Sequence, residues 1–242
     1  MKLSTEIVPY IEGKKFSDTL PIRIEQTEII QDRMDFVEDV VRGKSVLHIG
    51  CLDHVPLVQS RIEKDRWFHA RITQSASKCL GIDINKQGIE QLRAELGIFN
   101  IHYGDVTSSE AIPVITNQYW DYAIFGEVIE HVDNPVLFLN KFISTYSDYV
   151  GSVIITVPNA FKASNLRMAF QSFEVINSDH RYWFTPYTIW KVVEQAGLSV
   201  ERIQMCKFDY SGNYLREKIR DFVLRRCPIL AEDIVVISHL LK

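Results

Sequence analysis

The stretch Lys44–Gly50, KSVLHIG, constrains this chain more than any other. Val46, Leu47 and Ile49 form a short apolar run that a glycine then stops. Such runs read as strands buried on both faces, the habit of parallel sheets. The pattern returns three times. CLGID ends at Asp83, Asn100–Tyr103 is followed by Gly104 and Asp105, and WDYAIF spans Trp120–Phe125 before Gly126. In open α/β sheets a ligand sits outside the carboxyl ends of the strands, where strand order reverses. Four strand ends that each carry glycine or a carboxylate therefore predict one ligand lying across them.

The rest of the chain alternates in the same way. Further strands are predicted at Ser152–Val157, Ser199–Cys206 and Ile234–Ser238. Helical spacing marks Glu25–Arg42, closed by Gly43, then Pro56–Trp67 and Gln87–Leu96, closed by Gly97. A short turn is expected at Glu127–His131, because Pro135 fits best in the first turn of a new helix. That helix runs to about Tyr146, with Asp133 or Asn134 as N-cap. Two more helices are predicted, from Thr185-Pro186 to Gln195 and over Tyr214–Arg226. Alternation of this kind gives an α/β fold, a doubly wound, mostly parallel seven-stranded sheet with helices on both faces. Residues 1–24 read as an irregular N-terminal arm with one short helix. Residues 25–242 read as a single domain with an aromatic-rich insertion at 159–185.

Composition narrows the function classes. The 242 residues suffice for one large domain. A net charge of -4 argues against a general nucleic-acid binder, although Arg216–Arg226 is a local basic stretch. Cys51, Cys79, Cys206 and Cys227 form no CxxC pair and read as reduced thiols of a cytoplasmic protein. The N-terminus has no long apolar h-region, and no apolar run reaches the roughly 18 residues of a membrane span.

The ligand's chemistry follows from the strand ends. Gly50 lets a ligand approach the backbone closely. Asp83, ending the second strand, is placed to accept hydrogen bonds from ribose hydroxyls. Asp105 is placed to accept from an exocyclic amine of a base. Neither GxGxxG nor GxxxxGK[ST] occurs, so the ligand is expected to hold a ribose and a base without need of a pyrophosphate.

With those residues in view, the chain resembles the class I S-adenosylmethionine-dependent methyltransferases over about Glu25–Ser238. The resemblance rests on VLHIGC, LGIDIN, HYGDV, WDYAIFGEVIEHVDNP, VIITVPN and DHRYWFTPYTIWKVVEQAGL, in that order. It implies a Rossmann-like sheet and S-adenosyl-L-methionine as cofactor. Gly50 would pass under the methionine part, Asp83 would hold the ribose and Asp105 would face the adenine amine. His48, Cys51, Asp53, Ile84 and Val106 would complete the cofactor site, and Phe125, Gly126 and Glu127 would line it toward the acceptor. The first motif departs from the family pattern. His48 stands where an acid is usual, and Leu52 and His54 replace two glycines.

Methyl transfer needs an in-line nucleophile and exclusion of water. For a hydroxyl acceptor a general base helps, and His131 and His180 are the candidates, with Glu127 beside them. The EVIEH pattern with a distant DHRYWFT also resembles small-RNA 2′-O-methyltransferases of the Hen family and ubiquinone-pathway O-methyltransferases. That resemblance implies a divalent metal on Glu127, Glu130, His131 and His180. On a helix, Glu127, Glu130 and His131 would share one face. The insertion Phe161–Phe184 is expected to form a lid, with Phe170, Phe173, Tyr182 and Trp183 shaping an apolar or sugar-stacking surface. Arg167 and Arg181 are placed to hold a phosphate or carboxylate. The expected partner is a small-molecule or glycan-precursor acceptor, with nucleic acid disfavoured and a homodimer as a further expectation. The competing readings are a non-catalytic binding or scaffold protein on the same fold and a nicotinamide-dependent oxidoreductase.

Overall fold

The structure is a computed structural model and describes residues 5–26, 28–208 and 214–240. Residues 1–4 of the expected arm lie outside that range. Seven strands form one sheet: β1 Ser45–Ile49, β2 Lys78–Asp83, β3 Ile101–Tyr103, β4 Trp120–Gly126, β5 Val150–Pro158, β6 Leu198–Cys206 and β7 Asp233–Leu240. Their order is β3-β2-β1-β4-β5-β7-β6. Pairing is parallel except that β7 runs antiparallel between β5 and β6. Strand order reverses between β1 and β4, so Gly50 and Gly126 face each other across the switch point.

Ten helices accompany the sheet among the described residues: α1 Val8–Ile11, α2 Arg33–Val41, α3 Val55–Glu63, α4 Phe68–Ser75, α5 Lys86–Leu96, α6 Pro113–Thr116, α7 Pro135–Tyr146, α8 Ala163–Ala169, α9 Pro186–Gln195 and α10 Tyr214–Arg226. Alternate strand residues enter opposite layers. Leu47, Phe125 and Ile155 pack with Phe142 of α7 and Ile189 of α9. Val46, Ile124 and Ile154 pack with Val37 of α2 and Ile72 of α4.

Two predicted helices are corrected. The helix expected over Glu25–Arg42 begins only at Arg33, because Asp32 caps it by accepting from Met34 N at 2.7 Å. The preceding residues serve the exposed edge of β6 instead. Gln26 Oε1 accepts from Met205 N at 2.8 Å, and its Nε2 donates to Met205 O at 3.1 Å. A sheet edge left without partners is costly and prone to pairing with other chains, so the tertiary bond overrides the helical pattern. The helix expected over Pro56–Trp67 stops at Glu63 as α3; Asp65, at φ 53°, lies in the turn that follows, and α4 starts only at Phe68. Asn134 is the N-cap of α7, accepting from Leu137 N at 3.0 Å.

Candidate active site at the strand ends

Gly50 takes φ 65°, and a Cβ there would lie 2.5 Å from Val128 Cγ2. Only glycine satisfies both the left-handed backbone and that approach. Asp83 is buried at the end of β2. Its Oδ2 accepts from Leu52 N and its Oδ1 from Asn85 N, both at 2.9 Å. Burial pushes its carboxyl upward and the backbone donors oppose the shift. Asp83 thus pins the loop after β1 to the end of β2. Asp105 is exposed, and its Oδ1 accepts from Thr107 N and Oγ1 at 2.8 and 2.7 Å. Ile84 is exposed beside Asp83, whereas Val106 is buried.

Several side chains expected on the cofactor point elsewhere. Phe125 is fully buried, edge-on to Phe142 at 5.0 Å and Phe138 at 5.8 Å, because strand alternation sends it toward α7. Cys51 is buried too, its sulfur 2.5 Å from where a Gly81 Cβ would stand. The Asp53 carboxylate pairs with Arg61 of α3, and its Oδ1 also accepts from His54 N at 2.7 Å. His48 lies beneath the site with Nδ1 3.2 Å from Nδ1 of His69. Burial, reinforced by His69, holds His48 well below the usual imidazole range, so the pair shares one hydrogen as two neutral rings.

A buried charge network joins α2 to the strand ends. Arg33 is 5% exposed, and its Nη1 lies 2.6 Å from Glu127 Oε1. Its Nε lies 3.6 Å from Asp233 Oδ2, and its guanidinium carbon is 5.3 Å from the Phe68 ring centre. Burial pulls the guanidinium pKa down, but Glu127 and Asp233 outweigh that and the net shift is upward. Glu127 sits at φ 56°, in the region non-glycine residues avoid. Thr156 holds it there by donating Oγ1–H to Glu127 Oε1 at 3.0 Å and accepting Glu127 N at its carbonyl at 3.1 Å. Sequence reasoning missed Arg33. The available signal was its spacing from Phe36 and Val37, which puts an arginine on the apolar face of α2.

Asp233 is fully buried, and burial pushes its carboxyl up to about 8. A carboxyl whose folded pKa exceeds its unfolded value binds more protons when folded. Stability therefore falls as pH rises from about 4 to about 8. Asp233→Asn is expected to flatten that slope, measured as the unfolding midpoint across the pH range. A slope unchanged in the variant would assign the effect to other groups.

The turn after β4 is not helical, so the shared helical face expected for Glu127, Glu130 and His131 does not form. Glu127 turns back to Arg33. Glu130, His131 and His180 do converge, with ligating atoms all within 4.8 Å of one another. The end of the insertion is fastened over this turn, which brings His180 in. Arg181 N donates to Glu130 O at 2.8 Å, and Tyr182 Oη donates to Asp133 O at 2.6 Å. The Arg181 side chain pairs with Asp133 at 3.2 Å and donates to His131 O, so it fastens the insertion by side chain as well as backbone. The imidazoles of His131 and His180 meet edge to face at 4.6 Å.

Glu130 is fully buried, and neither carboxylate oxygen has a hydrogen-bond partner. Burial first, then Glu127, pushes it up to about 9. His131 Nδ1 lies 3.1 Å from Asp179 O. A carbonyl only accepts, so Nδ1 carries the hydrogen and a neutral His131 keeps its Nε2 lone pair for a ligand or proton. Burial and His131 lower the His180 pKa, which favours its neutral form. A cavity of about 690 Å³ lies between the N-terminal arm and α9, bordered by Tyr10, Ile22, Phe161 and Tyr187 with Lys15 and Lys191; none of Glu127, Glu130, His131 and His180 lines it.

The comparisons agree with this architecture. A family model described as "Methyltransferase domain" matches residues 23–203. No curated protein matches the sequence. Magnesium protoporphyrin IX methyltransferase from Synechocystis PCC 6803, solved with bound SAH, is similar in structure with TM-score 0.50 and 14% identity over 86% of this chain and 82% of that one. The small RNA methyltransferase HEN1 gives TM-score 0.54 and 15% identity over 91% of this chain, but only 27% of HEN1 is covered. The methyltransferase domain of a bacterial Hen1 gives TM-score 0.50 and 19% identity over 88% of this chain and 100% of that domain. At these identities the solved structures speak to the fold, and the family match covers most of the chain. With its strand order and its glycine at the switch point, this chain belongs to the class I S-adenosylmethionine-dependent methyltransferases.

Proposed function

We propose that this protein transfers the methyl group of S-adenosyl-L-methionine to a hydroxyl of a small-molecule or carbohydrate-like acceptor. The observation that carries the reading is the convergence of Glu130, His131 and His180 beside the β4 end, with both Glu130 oxygens buried and unpartnered. The cofactor lies across Gly50, Asp83 and Asp105, with Ile84 flanking the base. Asp83 has lone pairs left for the ribose hydroxyls after its two backbone bonds. His48, which is neutral and buried, brings no negative charge to the cofactor's amino-acid end.

The residues fit a divalent cation, since a carboxyl group whose oxygens have no hydrogen-bond partner and two imidazoles converge as a ligand set. Glu130, His131 and His180 would hold it, with Glu127 kept back by Arg33. When bound, such an ion lowers the pKa of a hydroxyl beside it. Without it, His131 Nε2 takes the hydroxyl proton as general base, oriented by its Nδ1–H bond to Asp179 O. The insertion, fastened by Arg181 and Tyr182, keeps water out.

Calorimetric titration with S-adenosylmethionine and S-adenosylhomocysteine tests the cofactor site. Micromolar binding is expected, weakened about 10- to 100-fold in Asp83→Ala through loss of hydrogen bonds to a charged acceptor. Acceptor screening with and without divalent cations, including sugars, phenols and a small RNA, then tests the substrate class. Turnover on the RNA alone would overturn the small-molecule reading.

A further inference from the structure

Helix α10 is turned the wrong way round for a helix facing water. Arg220 and Asp221 face the protein. Asp221 Oδ1 pairs with Lys207 Nζ at 2.9 Å, Arg220 Nη1 donates to Phe208 O at 3.0 Å, and the Arg220–Glu232 pair stands at 3.9 Å. Leu224 is the buried apolar residue on that side. The outward face instead presents Ile219, Phe222 and Val223, which are 57%, 59% and 36% exposed, with Tyr214 at 70%. Ile219, Phe222 and Val223 recur at helical spacing and form one stripe. The charges exposed with the stripe are cationic: Lys218 over the Tyr214 ring at 4.5 Å, Arg226 over Phe222 at 4.7 Å, and Arg225. The two ion pairs fix this orientation from the protein side, so rolling the helix to hide the stripe would break them.

We propose that the outward face of α10 docks on an anionic lipid bilayer surface. An apolar stripe flanked by arginine and lysine, on a helix held parallel to the protein surface, matches an interfacial helix. The long stems of Lys218, Arg225 and Arg226 allow the rings and aliphatic groups to enter the headgroup region while the charges stay at the phosphates. Charge selects this occupant. The chain carries a net charge of -4, so attraction to an anionic surface must come from a local patch, and this face provides one. A second copy paired through the same face would set arginines against lysines and arginines. β6, which leads to α10, and β5, which leads to the insertion, end on the same side of the sheet, since both run antiparallel to β7. Docking would therefore bring the side of the molecule that bears the active site to the membrane. None of this depends on the identity of the acceptor.

The test is sedimentation of the full chain with vesicles of phosphatidylcholine alone and of phosphatidylcholine with one quarter phosphatidylglycerol. A fluorophore on the exposed Cys227, next to α10, reports burial locally. Binding is expected only to the anionic vesicles, weakening as salt is raised. Ile219→Asp with Phe222→Asp is expected to weaken it about tenfold or more. Arg225→Glu with Arg226→Glu is expected to weaken it at least about twentyfold, from about fivefold per cation. Both pairs change exposed residues, so thermal unfolding should be unmoved. Equal binding to neutral vesicles, binding to neither, or indifference to both variant pairs would overturn the proposal. So would light scattering that finds a dimer which the Ile219/Phe222 pair dissolves.

Discussion

Replacing Arg33 with alanine is expected to destabilise the fold by about 3–5 kcal/mol, the usual cost of breaking a buried ion pair from one side. The reason is geometric. Arg33 is almost wholly enclosed and sits 2.6 Å from Glu127 and 3.6 Å from Asp233. Its removal leaves two acids facing one another without a cation and opens a void against the Phe68 ring. In a domain of this size the unfolding midpoint should drop by roughly 10 °C, at about 2–4 °C per kcal/mol. Arg33→Lys should recover only part of the loss, because an ammonium cannot reach both acidic side chains and stack on a ring at once. Activity should fall further than stability explains. Glu127 holds a left-handed backbone next to the proposed catalytic groups, and Arg33 and Thr156 are what keep it there. A midpoint within about 2 °C of the parent would show that the network carries little of the fold's stability.

Glu130→Gln is expected to do the opposite, leaving the fold intact while methyl transfer falls by about 10²- to 10⁴-fold. The buried, unpartnered carboxyl is pushed up to about 9, so it is protonated in the cation-free protein near neutral pH. Glutamine has nearly the same shape and is also neutral, so the unfolding midpoint should barely move. What it lacks is an anionic state. A divalent cation should raise the midpoint of the parent and not that of Glu130→Gln, and its affinity should grow with pH because binding releases the Glu130 proton. Equal thermal shifts in both proteins would place the cation elsewhere. Full turnover by Glu130→Gln would show that the Glu130 anion is not needed and leave His131 and His180 as the candidates for removing the acceptor's proton.

Much of the fold was legible because local rules and the tertiary structure agree there. The β1, β2 and β4 runs are buried on both faces and need no context to read as strands. Asn134 before Pro135 and Thr185 before Pro186 both cap the helices they were expected to start, with Thr185 accepting from Thr188 N at 3.1 Å. The helix over Glu25–Arg42 was misread because its first residues answer to the edge of β6, more than 170 residues away in the chain. The side-chain directions of Phe125 and Cys51 were not legible for a related reason. Adjacency to a motif says which strand end a residue occupies, and the pleat decides which layer its side chain enters.

The sequence by itself determined the strands, the site of close approach at Gly50, and the acids that end β2 and follow β3. Each of these depends on residue type within a few positions: β-branched runs, a glycine where φ is positive, a carboxylate where a strand stops. Only the tertiary structure decided that Glu127 turns to Arg33, that Glu130 loses every donor, and that His180 crosses about fifty residues to meet His131. Those outcomes depend on burial and on long-range pairing, which set the local dielectric and the available partners and leave no mark in the spacing of residues along the chain.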